Sequence, residues 1–87
     1  MGRGMRMFNQ ARFGERLRQL RKARGMTQEK TAEKLGIRRV RYVYMETGRA
    51  LPTIPILVRI AALYGISTDA LLGVERVSEE KKPRGSA

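Results

Sequence analysis

The stretch TQEKTAEKLGIRRVRYVYME, residues 27–46, decides the fold. Its inward apolar pairs, Ala32 with Leu35 and Tyr42 with Met45, are three apart, which is the spacing of a helix and not of a strand. Thr27 offers a hydroxyl N-cap, and Glu29 adds a negative charge to the first turn. A helix of about Gln28 to Leu35 then turns Ala32 and Leu35 inward. Gly36-Ile37 makes a tight turn with one apolar anchor. A second helix, about Arg39 to Thr47, follows with Tyr42 and Met45 as its inward pair and Gly48 as its stop. Tyr42-Val43-Tyr44 is β-prone but too short, and too enclosed by helical pattern, to be a strand.

Outward from this pair the pattern stays helical. Upstream, a helix starts at about Asn9 or Gln10 and ends at Arg24, with Phe13, Leu17 and Leu20 on one face and Gly25 as its C′ residue. Downstream, Thr53 caps a fourth helix, and Pro55 is tolerated because it falls in the first turn. Leu57, Ile60, Ala61 and Tyr64 form its buried face before Gly65. Ser67 caps a short fifth helix carrying Leu71 and Leu72. The expectation is an all-α domain of five short helices over residues 9–73, a flexible basic arm over 1–8 and a polar tail over 74–87. A domain of this size buries only about 60% of its unfolded surface, so a second copy would help to stabilise it.

Composition narrows function. The 87 residues include no His, Cys or Trp. This excludes zinc fingers, thiol nucleophiles, imidazole bases, iron–sulfur clusters and disulfide frameworks. One Asp and seven Glu are thin material for a metal cage. Neither enzymatic activity, nor a cofactor, nor a metal is expected. No apolar run approaches the roughly 18 residues of a membrane span, no signal-peptide segment is visible, and a reducing cytoplasm is the expected compartment.

The formal charge is +11, from 19 basic and 8 acidic residues. Residues 1–49 hold 14 basic and 4 acidic groups, and residues 50–87 hold 5 and 4, so net charges of +10 and +1 fall on the two halves. Fourteen of the basic residues are Arg, whose planar fork suits phosphates and guanine edges. A polyanionic partner is implied. A short helix, a turn with Gly36 and a second short helix is the geometry that lays its second helix in a DNA major groove.

FGERLRQLRKARGMTQEKTAEKLGI (13–37), METGRALPT (45–53) and LVRIAALYGISTDALL (57–72) together resemble the phage repressor/Cro type of helix-turn-helix domain, the XRE family. The most specific elements are Arg24-Gly25-Met26-Thr27-Gln28, Ala32, Leu35-Gly36, Glu46 with Gly48, Pro52 and Leu63-Tyr64-Gly65-Ile66-Ser67. The resemblance implies that Arg39, Val40, Val43 and Tyr44 read bases. It places Thr27 and Gln28 against phosphate, and Arg38, Arg41 and Arg49 suit phosphates as well. It also implies a structural ion pair between Arg21 and Glu46. Three positions depart from the family pattern: Thr31 replaces an apolar residue, Arg38 a Ser or Thr cap, and Tyr42 an Ile or Val. The Tyr42 hydroxyl therefore needs a partner or an exit to solvent.

Leu71, Leu72, Val74 and Val77 form an apolar stripe, with Ile54 and Ile56 as neighbours, from which a homodimer on a palindromic operator is expected. The leading expectation is a sequence-specific, double-stranded DNA-binding transcriptional regulator, a repressor. The alternatives are an antitoxin that binds a toxin partner and represses its own promoter, and a restriction-modification controller.

Overall fold

The computed structural model describes residues 7–74; the outer parts of the expected arm and tail, Val77 included, lie outside them. Five helices follow one another: α1 (Gln10–Ala23), α2 (Gln28–Leu35), α3 (Arg39–Glu46), α4 (Ile54–Tyr64) and α5 (Thr68–Leu72). No strand occurs among the described residues. Four helices begin on a side-chain oxygen that accepts a backbone N–H three residues on: Asn9 from Arg12, Thr27 from Lys30, Thr53 from Ile56 and Ser67 from Ala70. At the start of α3, Arg38 supplies no such bond. α1 and α3 each stop one residue earlier than their patterns suggest, with Arg24 and Thr47 as C-caps. The turn between α2 and α3 depends on Gly36, whose φ of 74° lets the Ile37 N–H reach back to the Ala32 carbonyl.

The core draws on every helix: Phe13 and Leu17, Ala32 and Leu35, Tyr42 and Met45, Ile60, Ala61 and Tyr64, and Leu71. Leu57 packs at its edge, only partly buried. Phe8 lies against Phe13 with ring centroids 6.0 Å apart, a staple across the N-cap that ties the end of the expected arm to α1. Leu71 requires a correction. It is 0% exposed and belongs to the core, so it is not available as a dimer contact. In a helix of five residues, α1 and α4 close over whichever leucine faces them.

Three arginines bind helix ends together. Arg16 Nη1 donates to the Leu71 carbonyl (3.2 Å), Arg59 Nη1 to that of Leu35 (3.0 Å), and Arg24 to those of Leu63 and Tyr64 (both 3.3 Å). The Arg24 guanidinium also lies 5.4 Å above the Tyr64 ring. Each cation sits on last-turn carbonyls that have no partner within their own helix, where the helix dipole is negative. Part of the basic charge is therefore structural.

α1 crosses the end of α3 at Gly14. A Cβ there would lie 2.6 Å from the Met45 carbonyl oxygen and closer still to that of Glu46, both backbone atoms with nowhere to go. Gly14→Ala gains about 1 kcal/mol of helix propensity, but overpacking costs roughly 1–3 kcal/mol or more. Contact with two unyielding backbone oxygens puts the cost at the upper end, so a net loss of about 2 kcal/mol should lower the thermal midpoint by roughly 8 °C or more. A variant as stable as the parent would show that α1 does not pack this closely.

Candidate nucleic-acid interface

α3 has two unlike faces. Tyr42, Met45 and Glu46 are buried, while Arg38, Arg39, Val40, Arg41 and Tyr44 are exposed and Val43 is half-buried. Arg39 and Val43, like Val40 and Tyr44, are four residues apart and share the outward side. Val40 is 53% and Tyr44 44% exposed. Apolar groups left this open in so small a domain are contact candidates rather than core. Arg49, just past the helix, places its guanidinium 5.9 Å above the Tyr44 ring. Arg41 leans toward the loop before α4, with Nη2 3.5 Å from the Leu51 carbonyl, at the limit of a hydrogen bond.

The start of α2 lies beside this face. Thr27 Oγ1 accepts the Lys30 N–H at 3.0 Å, which leaves the hydroxyl proton for another acceptor. Gln28 is half-buried, and its Nε2 donates to Glu46 Oε1 at 3.2 Å. The second proton of that amide and the first backbone N–H groups of α2 remain as donors.

Glu46 is the centre of the arrangement. Its Oε2 accepts Arg21 Nε and the Tyr42 hydroxyl, each at 2.6 Å. Its Oε1 accepts Arg21 Nη2 and Gln28 Nε2, each at 3.2 Å. Arg21 Nη1 goes to the Met26 carbonyl at 2.8 Å. One carboxylate thus joins α1, the start of α2 and α3. Burial pushes the Glu46 carboxyl up, but hydrogen bonds from Arg21, Tyr42 and Gln28 outweigh it and hold the group below its ordinary value. Burial, reinforced by the bond to Glu46, pushes the Tyr42 phenol up, so it stays a donor.

Of the base-reading residues that the resemblance implies, Arg39, Val40 and Tyr44 are exposed on α3 and Val43 is half-buried; Arg49 lies over Tyr44, and Gln28 is tied to the end of α3 through Glu46. Sequence reasoning missed the bonds that Tyr42 and Gln28 make to Glu46. The first had a local signal, since residues four apart on a helix touch. The second, across 18 positions, had none. Of the expected dimer residues, Ile54 is 71% exposed, Ile56 and Leu72 pack partly against the core, and Val74 is half-buried. Among the described residues, no cluster of His, Cys, Asp and Glu could hold a metal ion, and no helix is long and apolar enough to cross a membrane.

A carboxyl held below its unfolded value stabilises the fold above that value and stops doing so as pH falls through the folded one. Stability should therefore be level above about pH 4.5, the ordinary value for this group, and decline below it. Glu46→Ala leaves the Arg21 charge buried and unpaired, at a cost of roughly 3–5 kcal/mol near neutral pH. Its melting curve should lose much of the acid-side decline. Equal thermal midpoints for variant and parent at pH 7 would exclude a structural role for the pair.

Residues 12–72 match the family described as helix-turn-helix domain. Over 60 residues the chain is 42% identical to the SPbeta prophage-derived uncharacterized HTH-type transcriptional regulator YonR of Bacillus subtilis (strain 168), covering 69% of this chain and 56% of that protein. Over 59 residues it is 44% identical to the cryptic phage CTXphi transcriptional repressor RstR of Vibrio cholerae serotype O1, covering 68% and 53%. The chain thus spans little more than half the length of these two relatives. Among solved structures, the restriction-modification controller protein C.AhdI from Aeromonas hydrophila superposes with a TM-score of 0.64 at 31% identity, covering 70% of this chain and 88% of that one. The chain belongs to the helix-turn-helix domain family, in its five-helix repressor/Cro-like form.

Proposed function

We propose that the chain is a sequence-specific, double-stranded DNA-binding transcriptional regulator, acting as a repressor, with no enzymatic activity and no cofactor. The observation that carries this reading is the outward face of α3, where Arg39, Val40 and Tyr44 are exposed on a helix whose last residue, Glu46, is tied to Gln28 at the start of α2. A major groove about 12 Å wide admits one helix. With α3 in the groove, the Arg39 fork pairs with guanine O6 and N7, and Val40 packs on a thymine methyl. Val43 and Tyr44 complete the base-reading side. Thr27 and Gln28 donate to phosphate, and Arg38, Arg41 and Arg49 neutralise it. Residues 9–73 form the DNA-binding domain. The reading goes with a cytoplasmic protein.

Charge narrows where two copies can pair. Chains of net +11 repel, so they meet best on a surface with little charge. α4 offers one: Ile54 and Val58, one turn apart, are 71% and 55% exposed. Ile54, rather than the buried Leu71, is thus the anchor of a homodimer whose recognition helices lie about 34 Å apart on a palindromic operator. A monomeric mass at micromolar concentration, with one copy per duplex, is the contrary result. A restriction-modification controller is the second reading, favoured by the match to nearly the whole of one such protein.

Two substitutions separate base reading from phosphate binding. Arg39→Ala should relax discrimination at one base pair by about 1–3 kcal/mol, and Arg49→Ala should weaken all sequences alike with a shallower salt dependence. The check is a binding series over single base-pair changes in the preferred duplex. Identical specificity profiles for Arg39→Ala and the parent would remove Arg39 from base reading.

A further inference from the structure

The Tyr42 hydroxyl is buried beneath the recognition helix and touches nothing that DNA could reach. Tyr42 is 1% exposed, and its oxygen lies 2.6 Å from Glu46 Oε2. A carboxylate has two oxygens fixed in one plane, so holding one of them fixes where the other points. Arg21 grips both oxygens, with Nε on Oε2 at 2.6 Å and Nη2 on Oε1 at 3.2 Å; Tyr42 adds a second short bond to Oε2, and Oε1 also receives Gln28 Nε2 at 3.2 Å. Gln28 has no other side-chain hydrogen bond among the described residues. Its amide offers two protons, one of them taken by Glu46, which turns the group and leaves the second for an external acceptor.

We propose that Tyr42 is a positioning residue for DNA binding: by fixing Glu46, it holds the Gln28 amide in the orientation that meets a phosphate. The effect runs from Tyr42 through Glu46 to Gln28, and it rests on the reading of Gln28 as a phosphate contact. An Ile or Val at position 42 is smaller and donates nothing, so the carboxylate would be held on this side by Arg21 alone. In this chain the start of α2 is thereby coupled to the interior of α3 through side chains alone. The coupling adds no charge to the interface.

The test is a double-mutant cycle on the full chain, with Gln28→Ala, Tyr42→Phe and both together, read as affinity for a preferred duplex at 10 °C beside thermal melting of each protein. Loss of one hydrogen bond to a charged phosphate should weaken Gln28→Ala about tenfold or more. Tyr42→Phe, folded but without the hydroxyl, should lose a similar factor. Because both act on one contact, the double variant should bind no more than about twofold worse than Gln28→Ala alone. The slope of log affinity against log salt should not change in any of them, since no cation leaves a phosphate. Tyr42→Met, which also lacks a hydroxyl and fills irregular space, should repeat the result and serves where the Phe variant does not fold. Parental affinity for Tyr42→Phe, or losses that multiply in the double variant, would overturn the proposal while leaving Gln28 as a contact. A Gln28→Ala variant with parental affinity would overturn the phosphate reading itself, and the proposal with it.

Discussion

Glu46 carries a negative charge into the interior, and a buried charge is tolerated only where its partners are complete. Here they come from three helices: Arg21 on α1, Gln28 at the start of α2, and Tyr42 one turn back on α3. Much of the molecule answers to that requirement. α1 must come close enough to the end of α3 for Arg21 to reach, and Gly14 permits the approach. The loop after α1 must turn back so that the Met26 carbonyl takes the remaining Arg21 donor. α2 must begin where Gln28 meets the second carboxylate oxygen. What results is a fixed relation between the start of α2 and the outward face of α3, the two surfaces proposed to contact DNA.

The arginines divide by the same logic. Arg21 is consumed by Glu46, and Arg16, Arg24 and Arg59 are held on helix-end carbonyls, so these four take part in the fold itself. Arg38, Arg39 and Arg49 are exposed around α3 without a carboxylate partner among the described residues. A charge count therefore overstates what the interface can use. The domain is small enough that arginine stems and forks replace hydrophobic area it does not possess. Charge at this density does two jobs, and position decides which.

Local chemistry was legible in the sequence. Thr27, Thr53 and Ser67 announce helix starts, Gly25, Gly48 and Gly65 announce stops, and the spacing of Phe13, Leu17, Ala32 and Leu35 announces an inward face. Two ends differed by one residue because the backbone leaves helical angles at Arg24 (φ −96°, ψ 4°) and Thr47 (φ −92°, ψ 6°), which no side-chain pattern signals. Contacts across the fold were not legible. Nothing in a five-residue helix says that Leu71 turns inward and Leu72 lies at the edge, and nothing in a run of arginines says that Arg59 will cap α2. The base-reading residues of α3 were named from the family resemblance, and the inward pair Tyr42 and Met45 leaves Arg39, Val40 and Tyr44 exposed. The role of Gln28 as a partner of Glu46 needed the tertiary structure. An Ala at position 14 would read as a better helix, yet there the backbones of α1 and α3 meet.

The account stands on one claim, that the face of α3 reads duplex sequence. Selection of bound duplexes from a random library by the purified chain tests it most directly. The account predicts enrichment of a motif with two inverted half-sites, their centres about one helical turn apart. Salt-sensitive retention of duplexes with no enriched sequence would show a phosphate binder and contradict it.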